Sequence, residues 1–251
     1  VRTKDKVIRR EFGIFPGDVF DASEVGKGVS RLHALRYFKT IESTVAPGEE
    51  PDERNLILEV TESQTGSLIF GAGVSSNYGI IGLFQLSFDN FDIADWPRSF
   101  DDLLTGDAFV GAGQRLLLQW RPGTEQQQAR VLFADPHIFD TGFSFSADFF
   151  LYERDQGDYD ENRLGVRLAL GRKITDRLSV RLTLRVEEVE IDEFGATPAP
   201  DVLAAAGTSD VRSLALGATY NRTDDVWQPS EGYRLSGTVE WSGDYLGSDW
   251  N

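Results

Sequence analysis

The chain has 251 residues, 40% of them hydrophobic and 12% aromatic, which is enough to bury a core and too apolar for a disordered segment. Its 25 basic residues against 41 acidic ones leave a net charge of −16, which argues against a nucleic-acid partner, because binding a phosphate backbone needs a basic surface. Cysteine is absent, so disulfides, thiolate metal sites and cysteine nucleophiles are excluded together, and no apolar run reaches the roughly 18 residues of a transmembrane helix. The opening VRTKDKV has neither a Met nor the apolar core of a signal peptide, so an internal piece of a longer protein is expected.

The first 62 residues hold ten basic and twelve acidic side chains and carry helix signals before strand signals. Thr3 is expected to cap a short helix bearing Val7, Ile8 and Phe12 and ended by Gly13. A second helix is predicted from Asp21, with Glu24 three residues on as a capping box and Val25, Val29, Leu32 and Leu35 on one stripe. Two strands follow, Thr40 to Ala46 and Leu56 to Val60, joined by the turn-rich APGEEPDERN.

From Ser67 onward the period changes to two and stays there. Leu68, Phe70, Ala72 and Val74 are apolar, while Ser67, Gly71, Gly73 and Ser75 are small or polar. A turn at 77–79 leads into a second strand with Phe84, Leu86 and Phe88 on one face and Gln85, Ser87 and Asp89 on the other. Seven more strands are predicted: Gln114 to Arg121, Ala129 to Ala134, Phe143 to Tyr152, Arg163 to Gly171, Leu178 to Glu187, Ser213 to Asn221 and Tyr233 to Ser242. Most are about ten residues long, the length a tilted strand needs to cross a bilayer. One parity is apolar, as in Leu164, Val166, Leu168 and Leu170 or Val180, Leu182, Leu184 and Val186. The other parity holds Arg115, Arg130, Asp148, Arg163, Arg167, Arg181, Arg185, Glu187, Arg234 and Glu240, the segregation required by a wet lumen and a lipid-facing exterior. Arg212 breaks the rule and is expected at a strand end. A soluble β-sandwich also alternates, but seldom with strands this long and so many inward arginines. Trp120, Trp241, Tyr233 and Phe143 fall at or near strand ends, where a bilayer interface favours aromatics.

The connections at 135–142, 172–177 and 223–232 are short, whereas 191–210 is long and rich in Ala, Pro and Gly, so the short ones are expected at one rim of a barrel and the long one at the other. The segment 91–113 disobeys, being long on the short-turn side. There Trp96, Phe100, Leu103 and Leu104 have near-helical spacing, which suits a short interfacial helix or a loop packed on the mouth of the sheet.

Enzymatic chemistry finds little purchase, and no enzyme and no cofactor are expected. Only two histidines exist, His33 in a helix and His137 in a turn, so a Ser-His-Asp set would have to use His137. The acidic pairs Asp101 with Asp102 and Glu187 with Glu188 read as solvated loop or lumen charges, and no P-loop or HExxH spacing appears. The GAG runs at 71–73 and 111–113 lack the strand-to-helix context of a nucleotide fingerprint.

The runs TKDKVIRREFGIFPGDVF, VGKGVSRLHALRYFKTI and LILEVTES resemble the last periplasmic POTRA domain of the BamA family of outer-membrane β-barrel assembly proteins. The likeness continues through TGSLIFGAGVSSNYG as a first barrel strand, LSFDNF, ADPHIFDTG as a periplasmic turn, and DDVWQPSEGYRLSGTVE. The resemblance implies an α+β POTRA domain over residues 1–63, its first strand cut away before Val1, and the N-terminal part of an antiparallel transmembrane β-barrel over 64–251, about nine strands of an incomplete barrel. It implies an outer-membrane insertase whose POTRA domain lies in the periplasm, and whose partners are unfolded outer-membrane protein clients, the lipid bilayer and accessory assembly lipoproteins. The lateral seam strand would be Ser67, Leu68, Ile69, Phe70, Gly71, Ala72, Gly73, Val74 and Ser75, where a client strand adds through main-chain hydrogen bonds. Relatives with the same parts imply the alternatives, a secretion pore for one partner protein or a translocation and assembly factor. An outer-membrane enzyme barrel is a third reading.

Overall fold

The computed structural model describes the chain except residues 52, 76–78, 100, 103–105, 107, 193–194, 196–199, 205, 225–228 and 250–251. It divides into two compact units, one of Val1–Ser67 with Ser87–Arg115 and one of Leu68–Leu86 with Leu116–Asn251.

In the first unit, helices α1 (Asp5–Arg9) and α2 (Ala22–Leu35) precede the antiparallel strands β1 (Phe38–Pro47) and β2 (Arg54–Glu62). The predicted stripe is the packed one: Val25 and Leu32 are buried with Val7, Phe12, Tyr37 and Phe38, while Val29, Leu35, Leu56, Leu58 and Val60 close around them. Each such fully buried side chain contributes about 1.5–3 kcal/mol of transfer free energy. Phe12 lies over Gly28, where an added Cβ would stand 2.4 Å from the ring, so the helix must have glycine at that contact.

Two cap expectations change. Lys4, not Thr3, occupies the N-cap of α1, and the Thr3 hydroxyl instead bonds Glu62 and Asn90, because the chain entering α1 is drawn to those side chains. Asp21 does cap α2, accepting from Ser23 N–H at 2.7 Å, whereas Glu24 pairs with Lys27 at 2.7 Å rather than closing a box.

Among the described residues nine strands form one sheet in sequence order: β3 (Gly66–Ser75), β4 (Gly79–Phe91), β5 (Gln114–Arg121), β6 (Gln126–Asp135), β7 (Phe143–Asp155), β8 (Asp160–Lys173), β9 (Leu178–Asp192), β10 (Gly207–Asn221) and β11 (Arg234–Ser242). β3 and β11 are its edges. Several strands outrun their predicted ends, because backbone pairing continues after the apolar alternation stops: Glu188 and Glu190 of β9 still pair with Asp210 and Thr208 of β10. The connection between β9 and β10 therefore shrinks to 193–206, with a short helix α3 (Pro200–Ala204) inside it. The predicted turn at 77–79 falls mostly outside the described residues; Gly79 itself has φ 63°.

Register places the apolar rows together. Leu168 faces Leu184 and Leu184 faces Leu214; Leu170 faces Leu182 and Leu182 faces Leu216. The opposite face is a lattice of ion pairs. Arg130 grips Asp148 with two bonds of 2.7 and 3.0 Å, and Arg167 approaches the same carboxylate at 3.7 Å. Glu187, expected to be solvated, is 2% exposed between Arg185 at 2.5 Å and Arg163 at 3.6 Å. Like-charged Arg167 and Arg185 sit directly opposite each other and are tolerated because each has its own carboxylate. Arg212 is corrected: it lies inside β10, not at a strand end, on the apolar parity opposite Val186, and pairs with Asp210 at 2.8 Å where the apolar rows give way to charge.

Candidate functional site

Strand β3 is the edge the alternation pointed to. From Leu68 to Val74 every residue is exposed on both faces, and nothing lies within 4 Å of a Cβ added at Gly71 or Gly73. Its base is held better than its body: Thr65 O accepts Asp89 N–H at 3.1 Å, and the Ser67 and Ser87 hydroxyls are 2.7 Å apart. Phe88 of β4 lies over Gly66 on the apolar side. The strand is thus anchored where it leaves the first domain and thin where it continues.

At that base the first unit contains a joint that no sequence pattern announced. Asn90, 2% exposed, donates from Nδ2 to Thr3 Oγ1 at 2.8 Å and accepts Gly113 N–H on Oδ1 at 2.8 Å, while its carbonyl accepts Gly111 N–H at 2.8 Å. The backbone N–H of Gly113 fixes which end of the amide is oxygen. Gly111 O in turn accepts Lys4 N–H at 2.8 Å, and the Lys4 ammonium meets the buried Asp92 carboxylate at 2.5 Å. Tyr37 donates its hydroxyl to Gly113 O at 3.4 Å, and burial pushes the phenol up to about 12. Burial alone would raise the Glu62 carboxyl, but the N–H groups of Arg2 and Thr3 and the Thr3 hydroxyl donate to it at 2.8, 2.6 and 2.7 Å and hold it below its ordinary value.

The GAG run at 111–113, no nucleotide fingerprint, has this structural use. Gly111 has φ 121° and Gly113 φ 71°, and a Cβ on Gly111 would stand 2.3 Å from Arg2 O. Of the interfacial-helix expectation, Phe100, Leu103 and Leu104 lie outside the described residues, while Trp96 stacks edge-on against Phe109 at 5.4 Å. Trp120 and Trp241 are the penultimate residues of β5 and β11, Phe143 opens β7 and Tyr233 immediately precedes β11. His33 lies in α2 and His137 in the β6–β7 connection, and no group of three metal-ligating side chains occurs among the described residues. No described helix is long and apolar enough to cross a membrane, which says nothing about crossing by strands.

Residues 108–251, more than half of the chain, match the Omp85 superfamily domain, and residues 1–63 match the POTRA family described as a surface antigen variable number repeat. The chain belongs to the Omp85 superfamily. Over 250 residues it is 23% identical to the outer membrane protein assembly factor BamA of Nitratidesulfovibrio vulgaris, covering 99% of this chain and 29% of that protein. It therefore spans about three tenths of the length of such relatives. Among solved structures, Haemophilus ducreyi BamA lacking POTRA domains 1–3 matches with TM-score 0.68 at 20% identity over 98% of this chain and 47% of that one. CdiB of Escherichia coli matches with TM-score 0.55 at 12% identity over 99% and 44%. The Omp85 assignment and these likenesses establish a POTRA domain followed by nine strands of an unclosed barrel-type sheet.

Proposed function

We propose that this Omp85 chain is part of an outer-membrane assembly factor that inserts β-barrel clients by strand addition at the free edge of β3, with its POTRA domain in the periplasm and no catalytic chemistry of its own. The observation carrying the reading is the edge itself: no atom lies within 4 Å of a Cβ added at Gly71 or Gly73, so little besides backbone bonding would hold a strand there, and backbone bonding is indifferent to client sequence. Unfolded outer-membrane proteins are the clients, the bilayer is the solvent of the apolar face, and accessory lipoproteins are further partners. Homology to proteins named as assembly factors supports this, and likeness to CdiB supports a second reading, a secretion pore using the lumen rather than the seam.

A cysteine at Gly71 or Gly73, oxidised to a matched cysteine on the closing strand of the full-length protein, separates the two. Insertion of clients should stop on crosslinking and return with reductant, single cysteines being tolerated. Normal insertion by the fully crosslinked protein would sink the seam and favour the pore.

A further inference from the structure

The short turn expected at 172–177 opens later than its sequence suggests, and Arg172 falls inside β8. It stands directly opposite Phe143 of β7 and Val180 of β9, on the parity of Leu164, Val166, Leu168 and Leu170, so the apolar face carries a guanidinium. The rows flanking it are apolar: Phe145, Leu170 and Leu182 form one, and Ile174 and Leu178 stand in the other, where Ile174 N–H donates to Leu178 O at 2.8 Å. Arg163, Arg167 and Arg185 on the opposite face each reach a carboxylate, whereas no acidic side chain among the described residues lies within ion-pair distance of Arg172. What it has instead is an aromatic ring, with the guanidinium carbon 4.8 Å from the centre of Phe143.

The rows also set the depth of this charge. At the other end of the face, charge returns at Arg212, already paired with Asp210, and at Glu188, which faces Leu164. Leu164 and Arg172 are eight residues apart on β8, roughly 26 Å along the strand and about 19 Å across a bilayer for a strand tilted by about 45°, against an apolar band of about 25 Å. With Glu188 at one interface, Arg172 therefore stands near the other, where a long aliphatic stem lets a charged head reach the headgroups. Tyr220, which faces Leu178, and Tyr233 lie at the same rim with their rings 6.1 Å apart, as suits an interfacial belt. From Arg172 to Arg177 the chain holds three basic residues and one acid, a local excess of positive charge in a chain of net charge −16.

We propose that Arg172 binds the phosphate of an anionic phospholipid in the leaflet at the rim of the β8–β9 turn. A ring over one face of the guanidinium leaves its in-plane N–H groups to the phosphate oxygens, which a planar fork can bond two at a time. The anion is that of a lipid because apolar rows flank the guanidinium on both sides, and acyl chains are what those rows accept. The inference rests on the outer-membrane reading above, in which this face meets the bilayer.

The test uses the full-length protein with Leu170→Cys carrying a fluorophore, in phosphatidylcholine bilayers that contain a minor, equal fraction of either phosphatidylglycerol or phosphatidylcholine brominated near the top of the acyl chain. Leu170 precedes Arg172 by two residues on the same face, so its label reads the lipid beside the guanidinium. Brominated phosphatidylglycerol should be enriched there about fivefold over brominated phosphatidylcholine, the ratio that roughly 1 kcal/mol per membrane-proximal arginine represents. Arg172→Gln should abolish the enrichment, Arg172→Lys should keep part of it, and Arg181→Gln, which removes the same charge from the opposite face, should leave it intact. No enrichment in the protein with Arg172, or enrichment that survives Arg172→Gln, overturns the site while the membrane reading stands. Quenching by neither lipid overturns both.

Discussion

Asn90 and Thr3, 87 positions apart, share a 2.8 Å hydrogen bond inside a site where both are at most 5% exposed, so the last turn of the second barrel strand and the entry to the first POTRA helix are one bonded structure. Removing the amide orphans Gly113 N–H and half of the Thr3 hydroxyl, and a buried unpaired group costs roughly 1–3 kcal/mol. In Asn90→Ala, hydrogen exchange over residues 108–115 of the full-length protein should accelerate by about 10- to 100-fold, each 1.4 kcal/mol being tenfold. Unchanged protection would mean the joint is held without the amide, by the Lys4–Asp92 pair and the backbone bonds of Gly111 to Asn90 O and of Lys4 to Gly111 O.

Glu62 gives the joint a pH dependence of known sign. Its native carboxyl titrates below the ordinary value of 4.5, so its stabilisation is present in full above that value and lost as pH falls through the native one. Protection factors of the amides of residues 2–4, corrected for intrinsic rates, should be level at neutral pH and drop under acid. In Glu62→Gln they should be lower throughout and nearly flat. A wild-type profile as flat as that of the variant would remove Glu62 from the joint.

The two faces of the sheet should differ in what they tolerate. Leu184→Arg replaces a side chain flanked by Leu168 and Leu214 in the apolar rows and should cost roughly 2–4 kcal/mol of folding into bilayers. Thr183→Arg, one residue away on the charged parity, should cost far less; Ala169, its partner on β8, is buried and makes a poorer site for the comparison. Equal costs in folding titrations of the full-length protein would indicate a sheet covered on both faces by protein.

Phe150 lies over Gly165 with the Arg167 guanidinium 4.3 Å from its ring centre, and a Cβ at Gly165 would stand 2.5 Å from the ring tip. Gly165→Ala should therefore destabilise the strand pair by roughly 1–3 kcal/mol through overpacking, despite the backbone entropy that alanine saves. The double change with Phe150→Leu should recover part of the loss. No coupling between the two positions would show that the ring is free to swing away.

Much of this was legible because strand and helix periods are local. Leu178 to Val186 alternates strictly, and β9 starts where that pattern starts; it ends late because Glu188 and Glu190 keep their backbone partners beyond the apolar rows, and no side-chain pattern marks a strand that continues into water. Arg212 was misplaced for the same reason. The edge strand was legible as well, since Gly71 and Gly73 leave the parity opposite Leu68, Phe70, Ala72 and Val74 with almost no side chains to pack.

What the sequence alone determined is the order of elements and the two chemistries of the sheet faces, because a period of two commits every second side chain to one environment whatever lies across from it. The joint was decided by tertiary structure. Asn90 lies one residue from the end of a strand and Thr3 precedes a helix, where it reads as an ordinary cap, and only the return of the chain at Gly111 and Gly113 with positive φ brings a donor to Asn90 and room for Arg2. Hydrogen bonds between residues distant in sequence carry no period, and a buried polar group shows its value only once the groups that desolvate it are in place.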